Sequence, residues 1–245
     1  MEVRIGIIGG TGVYKIFEEF EELEVSTPYG SPSDKVFVGE VNRKKIAFLP
    51  RHGRNHSIPP HRINYRANVY AFKQIGAKYV IATSAVGIIN TKIKPGNFVL
   101  LSDFVDMTPY TVTFFDEFKT KPVHVDMTEP YSEKLRTVIL KCAEKEGIKI
   151  IPKAVYVNTK GPRFETPAEI KMFKKLGFDV VGMTSAYEAT LFKEVGIEYA
   201  SIALATNYAC GIKKKGFSVE EVISVVKKKN NQLIKVLKAV VKVLE

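Results

Sequence analysis

Residues 5–12 read Ile-Gly-Ile-Ile-Gly-Gly-Thr-Gly, an apolar run that passes directly into a glycine-rich turn. A short continuous apolar run is typical of a strand that is covered on both faces of a sheet. Because glycines carry no side chain, the backbone N–H groups of such a turn can approach an anion closely. A plain tight turn explains the same residues equally well, so the stretch predicts a buried strand and leaves the anion site open.

Further apolar runs continue this pattern along the chain. Several of them are unbroken rather than alternating, which indicates strands covered on both faces, and helical patterns lie between them. Together these features predict an α/β fold. The runs are Val36–Val41, Ile46–Leu49, Tyr79–Thr83, Phe98–Phe104, Ile148–Val157, Val180–Met183 and Tyr199–Thr206.

Four helix starts are marked by capping residues. Ser132 can cap one helix, and three capping boxes mark the others. The stretch Thr108–Glu129 shows no clear hydrophobic periodicity, so we expect a long loop without regular secondary structure. Long loops of this kind are often functional. The three boxes are Thr166–Glu169, Ser185–Glu188 and Ser218–Glu221.

The composition bounds the class of protein. The 245 residues are 45% apolar, which allows one large α/β domain or two small ones without a metal or disulfide staple. No apolar run approaches the ~20 residues of a membrane span, and no secretory signal is evident. The two cysteines, Cys142 and Cys210, form no CxxC pair. We therefore expect no membrane partner, no metal site and a cytoplasmic location.

The net charge of +11 comes from 37 Lys+Arg against 26 Asp+Glu. Much of the excess is scattered lysine on predicted helix exteriors, which favours solvated faces over a polynucleotide groove. A basic nucleic-acid module stays open as an alternative, and it predicts steeply salt-dependent binding to DNA or RNA.

Short polar patches follow the apolar runs at several places. In open α/β sheets, ligands bind outside the carboxyl ends of the strands, so residues from several strand ends can converge on one pocket. Together these patches offer cations, hydroxyls and N–H groups that can bind an oxyanion, and a carboxylate and an amide that can bind a heterocycle. They therefore predict a site for phosphate and a nucleobase. The patches are residues 9–12, 51–54, 83–85, 183–184 and 206–207, with the loop 161–166.

Arg51 and His52 belong to a segment, residues 51–56, that holds two arginines and two histidines. The planar fork of arginine suits phosphate. An exposed basic turn or an interface arginine is the alternative, but the position directly after an apolar strand favours function. For Thr83-Ser84-Ala85, a simple exit from a strand explains the residues equally well when they are taken alone.

Phe164, Glu165 and Asn207 supply groups that suit a purine. A phenyl face can stack on the base, a carboxylate can accept from a ring N–H, and an amide can pair with N7 and O6 together. A first-turn glutamate and a turn asparagine are common alternatives. No motif for a nucleophilic side chain is present, which suits a reaction in which phosphate itself is the nucleophile.

The patches, in this order, resemble the trimeric-type nucleoside phosphorylases, especially the methylthioadenosine phosphorylase branch. The resemblance runs from Ile5 to about Val222, and its specific stretches are residues 6–12, 27–34, 51–56, 63–68, 161–166 and 199–203. It implies one domain over residues 1–245, an α/β nucleoside phosphorylase fold with a mixed central β-sheet flanked by helices. It also implies a pentosyltransferase of purine salvage that uses inorganic phosphate as co-substrate, needs no cofactor, and assembles as a homotrimer or a dimer of trimers.

The resemblance carries over roles for individual residues. Arg51, Glu165 and Asn207 are the expected catalytic residues. Phosphate binding falls to Thr11, Arg51, His52, Ser84, Ala85 and Thr184. The residues expected to bind the base are Phe164, Glu165, Thr206 and Asn207. Those expected to bind the ribose and the 5′ group are Met183, His124, Val219 and Val222. His124 is expected to reach the pocket of a neighbouring subunit.

Two departures from the methylthioadenosine pattern narrow the expected substrate. Glu165 and Asn207 match the 6-oxopurine phosphorylases, whereas adenosine-type members carry Ser or Thr and Asp there, with a second Asp where this chain has Ala209. Ordinary 6-oxopurine phosphorylases carry a His at the position of Val219, where an apolar side chain suits a 5′-methylthio group. A buried helix-start residue that packs on the core is the alternative for Val219.

The best prediction is therefore phosphorolysis of S-methyl-5′-thioinosine to hypoxanthine and 5-methylthioribose 1-phosphate. A methylthioadenosine phosphorylase and a general inosine or guanosine phosphorylase are the alternatives within the class. A dinucleotide-binding oxidoreductase is the alternative from another class, although the third glycine of its fingerprint is missing after Gly12.

Overall fold

The computed structural model describes residues 3–10, 13–118, 121–214, 216 and 218–245, without the side chains at positions 14 and 15. Nine strands of this described part form one sheet in the order β2-β3-β4-β1-β5-β8-β7-β6-β9. The strands are β1 Ile5–Gly9, β2 Phe20–Leu23, β3 Val36–Val41, β4 Lys44–Pro50, β5 Tyr79–Ile88, β6 Phe98–Asp106, β7 Ile150–Asn158, β8 Val180–Gly182 and β9 Glu198–Tyr208.

The sheet is mixed, as the sequence predicts. β1 lies parallel to β4 and β5, and β6, β7 and β8 run parallel to one another. β3 with β4, β5 with β8 and β6 with β9 are antiparallel pairs. β9 also pairs in parallel with β5, so the strands β5, β8, β7, β6 and β9 close into a ring.

The predicted strands are all present, and one further strand was missed. β2 is an edge strand with three exposed residues and the sequence Phe-Glu-Glu-Leu, which shows no clear apolar alternation. Edge strands with one ladder partner need little burial, so their sequence signal is weak. The long loop expected at Thr108–Glu129 holds neither helix nor strand in its described residues.

Five α-helices cover the sheet in the described residues: α1 Tyr65–Gln74, α2 Glu133–Lys145, α3 Pro167–Lys175, α4 Ser185–Glu194 and α5 Val219–Val243. The Ser132 cap and the Thr166–Glu169 capping box are confirmed. The Ser218 side chain accepts from the N–H of Glu221, which confirms that helix start.

The capping box predicted at Ser185–Glu188 is wrong. The N-cap of α4 is Thr184, which makes no side-chain capping bond, and Ser185 is the first helical residue. Glu188 is completely buried, and its carboxylate binds Arg51 instead of a backbone N–H at the helix start. The spacing of serine and glutamate was right for a capping box, but a buried cation competes for the carboxylate.

Two hydrophobic clusters lie on the two sides of the sheet. One contains residues of α1 and α4, such as Phe72 and Phe192, and the other contains residues of α2 and α5, such as Leu135 and Leu237. Strands between these clusters are buried on both faces, which explains their unbroken apolar sequences. No helix in the described part of the chain is long and apolar enough to cross a membrane.

Candidate active site

Arg51 comes directly after β4 and is only 2% exposed. Its backbone N–H donates to Gly9 O at 2.9 Å, which fixes the residue beside the end of β1. The guanidinium donates through Nε and Nη2 to the two carboxylate oxygens of Glu188, at 2.5 and 2.8 Å, and through Nη1 to Thr83 O at 2.8 Å. The arginine is therefore held by the protein itself, at the ends of β1 and β4 and against Thr83 in the middle of β5.

Glu188 lies on the first turns of α4 and takes a third bond, from the Tyr199 hydroxyl at 2.8 Å. Burial lowers the pKa of Arg51, but the charge and hydrogen bonds of Glu188 outweigh burial and raise it above its ordinary value. Burial, and then the Glu188 charge, raise the pKa of Tyr199. The cluster of Arg51, Glu188, Tyr199 and Thr83, called the arginine centre below, thus contains a charged arginine.

His52 is half-buried next to the arginine centre. Its Nδ1 lies 2.8 Å from Ile58 O, and because a carbonyl only accepts, Nδ1 carries the proton. The His56 ring stacks on it at 4.4 Å between centroids. Burial and then the charge of Arg51 lower the pKa of His52 to about 4, so the ring is neutral near pH 7 and its Nε2 is an acceptor.

The strand exit expected at Thr83-Ser84-Ala85 is wrong, because these residues lie inside β5, which continues to pair with β9 up to Ile88. Thr83 lies beside Gly9, the last residue of β1. A Cβ atom at Gly9 would lie 2.2 Å from Oγ1 of Thr83, so only glycine allows this approach of β1 to β5. The Ser84 hydroxyl oxygen is buried and has no hydrogen-bond partner among the described residues. A buried unpaired hydroxyl is costly, and it is a group that a bound anion can satisfy.

Thr184 is buried at the start of α4. Its backbone N–H, and that of Ser185, point to the Tyr156 hydroxyl at 3.1 and 3.4 Å. Tyr156 in turn donates to Asn158 at 3.2 Å. The tyrosine replaces a side-chain cap at this helix N-terminus, and the Thr184 hydroxyl is left out of the capping role.

Glu165 lies in the segment 159–166, called the carboxylate loop below. The Thr159 hydroxyl donates to Oε1 of Glu165 at 2.6 Å, and the glutamate is 6% exposed. Arg163 binds both carboxylate oxygens of Glu169 at 2.8 and 2.9 Å. A pocket of about 390 Å³ borders this loop, and of the predicted site residues it is Glu165 that lines it.

Thr206 and Asn207 end β9 next to Gly87 of β5. The Thr206 hydroxyl lies 2.8 Å from Oδ1 of Asn207, and Nδ2 of Asn207 donates to Tyr208 O at 3.1 Å. The amide is therefore oriented by its own strand end. Its second N–H and the remaining lone pair of Oδ1 are available to a ligand.

Met183 lies against the carboxylate loop, since a Cβ atom at Gly161 would be 2.6 Å from its sulfur. The Tyr65 hydroxyl points to Met183 O at 3.4 Å. Phe164 is 47% exposed, which leaves an aromatic face on the surface beside Glu165.

The remaining predicted residues are distinguished mainly by their exposure. His124 is exposed, and its ring meets Phe118 at 5.7 Å between centroids. Val219 is 57% exposed at the first position of α5, so the alternative of a buried core residue is wrong, and Val222 is half-buried. Ala85 is exposed within β5, next to Ser84. Thr11 lies outside the described residues.

Three functional candidates were missed from the sequence: Glu188, Tyr199 and Thr159. Glu188 is 137 residues from Arg51 along the chain, so local patterns cannot pair them. Its one sequence signal is a single charged residue among the uncharged residues 185–192, and such a charge is seldom fully buried unless it is paired. Groups of three or more His, Cys, Asp or Glu that could hold a metal are absent from the described part of the chain.

Comparisons with known proteins identify the family of the chain. The model of the phosphorylase superfamily matches residues 4–242. A 6-oxopurine nucleoside phosphorylase from Pyrococcus furiosus is 44% identical over 245 residues, covering 97% of this chain and 92% of that protein. A probable S-methyl-5′-thioinosine phosphorylase from Methanopyrus kandleri is 47% identical over 224 residues, covering 91% of this chain and 85% of that protein.

A solved structure is similar over the same range. Methylthioadenosine phosphorylase from Schistosoma mansoni, in complex with adenine, has a TM-score of 0.92 at 32% identity and covers 98% of this chain and 91% of that chain. The chain belongs to the phosphorylase superfamily. The resemblance seen in the sequence is confirmed, as is the α/β fold with a mixed sheet.

Proposed function

We propose that this chain is a purine nucleoside phosphorylase whose best substrate is S-methyl-5′-thioinosine, cleaved by phosphate to hypoxanthine and 5-methylthioribose 1-phosphate. The observation that carries the proposal is the buried Arg51 at the end of β4 together with the unpartnered Ser84 hydroxyl of β5, in a fold that also presents Glu165 in the carboxylate loop and Asn207 near the end of β9. A relative that is 44% identical is named 6-oxopurine nucleoside phosphorylase and one that is 47% identical is named probable S-methyl-5′-thioinosine phosphorylase, which supports the proposal. Another relative, also 44% identical, is named S-methyl-5′-thioadenosine phosphorylase, which keeps that activity as the rival within the family.

Phosphate is proposed to bind at the arginine centre. Arg51 supplies the positive charge, and the unpaired Ser84 hydroxyl and the Thr184 hydroxyl supply donors. Neutral His52 can accept a hydrogen bond on Nε2 from the P–OH group of monohydrogen phosphate. Thr11 and the backbone at Ala85 complete the set proposed from the family resemblance.

The base is proposed to be a 6-oxopurine because of the hydrogen bonds it offers. Hypoxanthine presents N1–H to the Glu165 carboxylate and O6 to the remaining N–H of the Asn207 amide, and Oδ1 of Asn207 can accept from N7 when that nitrogen is protonated. Adenine presents an unprotonated N1, which would face a carboxylate acceptor. A mismatch of buried polar groups can cost a wrong substrate a factor of about 10⁴. Phe164 and Thr206 are proposed to border the base.

The 5′ group is proposed to be apolar. Val219 and Val222 are the residues at this position in the family pattern, and neither can bond a 5′-hydroxyl. Met183 is proposed to lie against the ribose. His124 is proposed to reach the same pocket from a neighbouring subunit of a homotrimer or a dimer of trimers, which light scattering of the purified protein tests directly.

The mechanism needs phosphate as the only co-substrate. Arg51 and the hydroxyls hold phosphate below C1′, the glycosidic bond loosens, and the sugar gains oxocarbenium character. Asn207 and Glu165 stabilise the departing purine, and phosphate captures C1′ with inversion. Positioning and electrostatics do the catalysis, and we propose no metal or organic cofactor. Enzyme treated with a chelator should therefore keep its full rate.

A substrate panel tests the proposal. Release of free base is measured with methylthioinosine, methylthioadenosine, inosine and guanosine, with and without inorganic phosphate. We expect phosphate-dependent cleavage with the highest kcat/KM for methylthioinosine. Faster cleavage of methylthioadenosine would contradict the base assignment, and cleavage without phosphate would contradict phosphorolysis.

A further inference from the structure

Thr159 occupies the first position after β7, where the chain leaves the sheet. Its backbone N–H donates to Gly182 O of β8 at 2.8 Å, so the residue is fixed to the neighbouring strand. The side chain is half-buried and points along the carboxylate loop toward Glu165. Thr159 is therefore a rigid point from which a hydroxyl faces the proposed base-binding carboxylate.

The hydroxyl of Thr159 has two acceptors within reach. Oε1 of Glu165 lies at 2.6 Å and Gly182 O at 3.3 Å. Both atoms accept only, and the hydroxyl has one proton, so the proton serves one of them at a time. The shorter distance and the charge of the carboxylate favour the bond to Glu165.

The rest of the carboxylate loop is held by other bonds. Arg163 and the N–H of Thr166 both bind Glu169, which ties the loop to the start of α3. These bonds fix the backbone around Glu165 but do not touch its carboxylate. Among the described residues, the hydrogen bond from Thr159 is the contact that orients Glu165, and Oε2 has no such partner.

We propose that Thr159 is a positioning residue that sets the preference of the site for 6-oxopurines. This inference rests on the proposed function. By donating to Oε1, Thr159 turns Glu165 so that Oε2 remains as an acceptor for the base. A base with N1–H pairs with that acceptor, whereas a base with a bare N1 meets a second lone pair.

The variant Thr159→Val keeps the shape of the side chain and removes the hydroxyl. We expect kcat/KM for methylthioinosine to fall about 10–100-fold, as expected for loss of one charge-assisted bond, and kcat/KM for methylthioadenosine to change less than about threefold. Thr159→Ser keeps the donor and should restore both values to within about threefold of wild type.

Thr113→Val is the matched control. Its hydroxyl also donates to a glutamate carboxylate at 2.6 Å, but the acceptor is Glu194 at the end of α4. It should leave the preference for methylthioinosine over methylthioadenosine unchanged. An unchanged preference in Thr159→Val, or an equal loss for both substrates, would overturn the inference.

Crystals of the variants separate this inference from the proposed function. In Thr159→Val, the Glu165 carboxylate should leave the orientation that it has in wild type, and in Thr159→Ser it should keep it. If wild type cleaves no nucleoside, the proposed function fails, and the crystals still decide whether Thr159 positions Glu165. An unmoved carboxylate in Thr159→Val would overturn the positioning role whatever the activity.

Discussion

The arginine centre and the carboxylate loop differ in how much of their hydrogen-bonding capacity the protein itself uses. In the arginine centre, three nitrogens of Arg51 are bound by protein groups, and Glu188 is completely buried. In the carboxylate loop, Glu165 has one hydrogen bond from Thr159, and Phe164 beside it is 47% exposed. The first region is preorganised by the core, whereas the second leaves polar capacity for a ligand.

This difference teaches where substrate specificity can change without loss of the fold. A buried ion pair cannot lose one partner cheaply, because the other charge stays behind without compensation. A loop carboxylate with one oxygen left for a ligand can be re-paired with a different base. We therefore expect changes at the arginine centre to affect stability, and changes at the carboxylate loop or β9 to affect substrate choice.

The largest expected effect follows from Glu188→Gln. The substitution leaves the Arg51 charge buried with a neutral partner, which should lower the free energy of unfolding by about 3–5 kcal/mol and lower kcat/KM at least about tenfold. Urea unfolding and the phosphorolysis assay measure the two. Glu22→Gln is the control, because it makes the same change in an exposed pair with Arg54 and should cost much less stability than Glu188→Gln. An equal loss of unfolding free energy in the two variants would show that the buried pair of Arg51 and Glu188 matters no more to stability than an exposed pair.

Asn207→Asp should shift the substrate preference toward 6-aminopurines. An aspartate can accept from the exocyclic amine of adenine, whereas it repels O6 of hypoxanthine. We expect the ratio of kcat/KM for methylthioinosine to that for methylthioadenosine to fall about 10–100-fold, with little change in unfolding. Asn42→Asp, in an exposed turn, serves as the control. An unchanged ratio would remove Asn207 from the base site.

Acid should weaken the fold through His52. The pKa of His52 falls from its ordinary value of 6.5 to about 4 on folding. Between these values the unfolded chain binds a proton that the folded chain does not, so the free energy of unfolding decreases as the pH falls from 6.5 toward 4. A shift of this size corresponds to up to about 3 kcal/mol of unfolding free energy, lost over this pH range. His52→Gln should flatten this part of the stability profile, and identical slopes in both proteins would refute the assignment.

The smallest expected effect concerns the 5′ group. Val219→His introduces a donor for a 5′-hydroxyl, so kcat/KM for inosine should rise about three- to tenfold relative to methylthioinosine. Val243→His is the control, because Val243 is exposed at the other end of α5. If both variants change the ratio equally, or neither does, Val219 is not near the 5′ group.

Much of the fold was predictable because buried strands carry continuous apolar runs and capping residues mark helix starts. The edge strand β2 was missed because its Phe-Glu-Glu-Leu sequence has too little apolar signal. The ring closed by β5 and β9 joins strands about 120 residues apart, and no local pattern specifies that pairing.

The site was predictable only in part, for a similar reason. Arg51, Glu165 and Asn207 stand out as polar residues at strand or loop ends. Glu188 fits the spacing of a capping box, and the sequence cannot tell a cap from a counter-ion that meets its arginine through the fold. Thr159 has no signal at all, because its role depends on the direction in which the loop returns to Glu165.

The most direct test of the account is a crystal structure of the enzyme soaked with sulfate and hypoxanthine. We predict sulfate on Arg51, Ser84 and Thr184, with N1–H of the base on the Glu165 carboxylate and O6 and N7 on the Asn207 amide. A structure in which sulfate avoids Arg51, or in which Glu165 and Asn207 lie far from the bound hypoxanthine, would contradict the central claim.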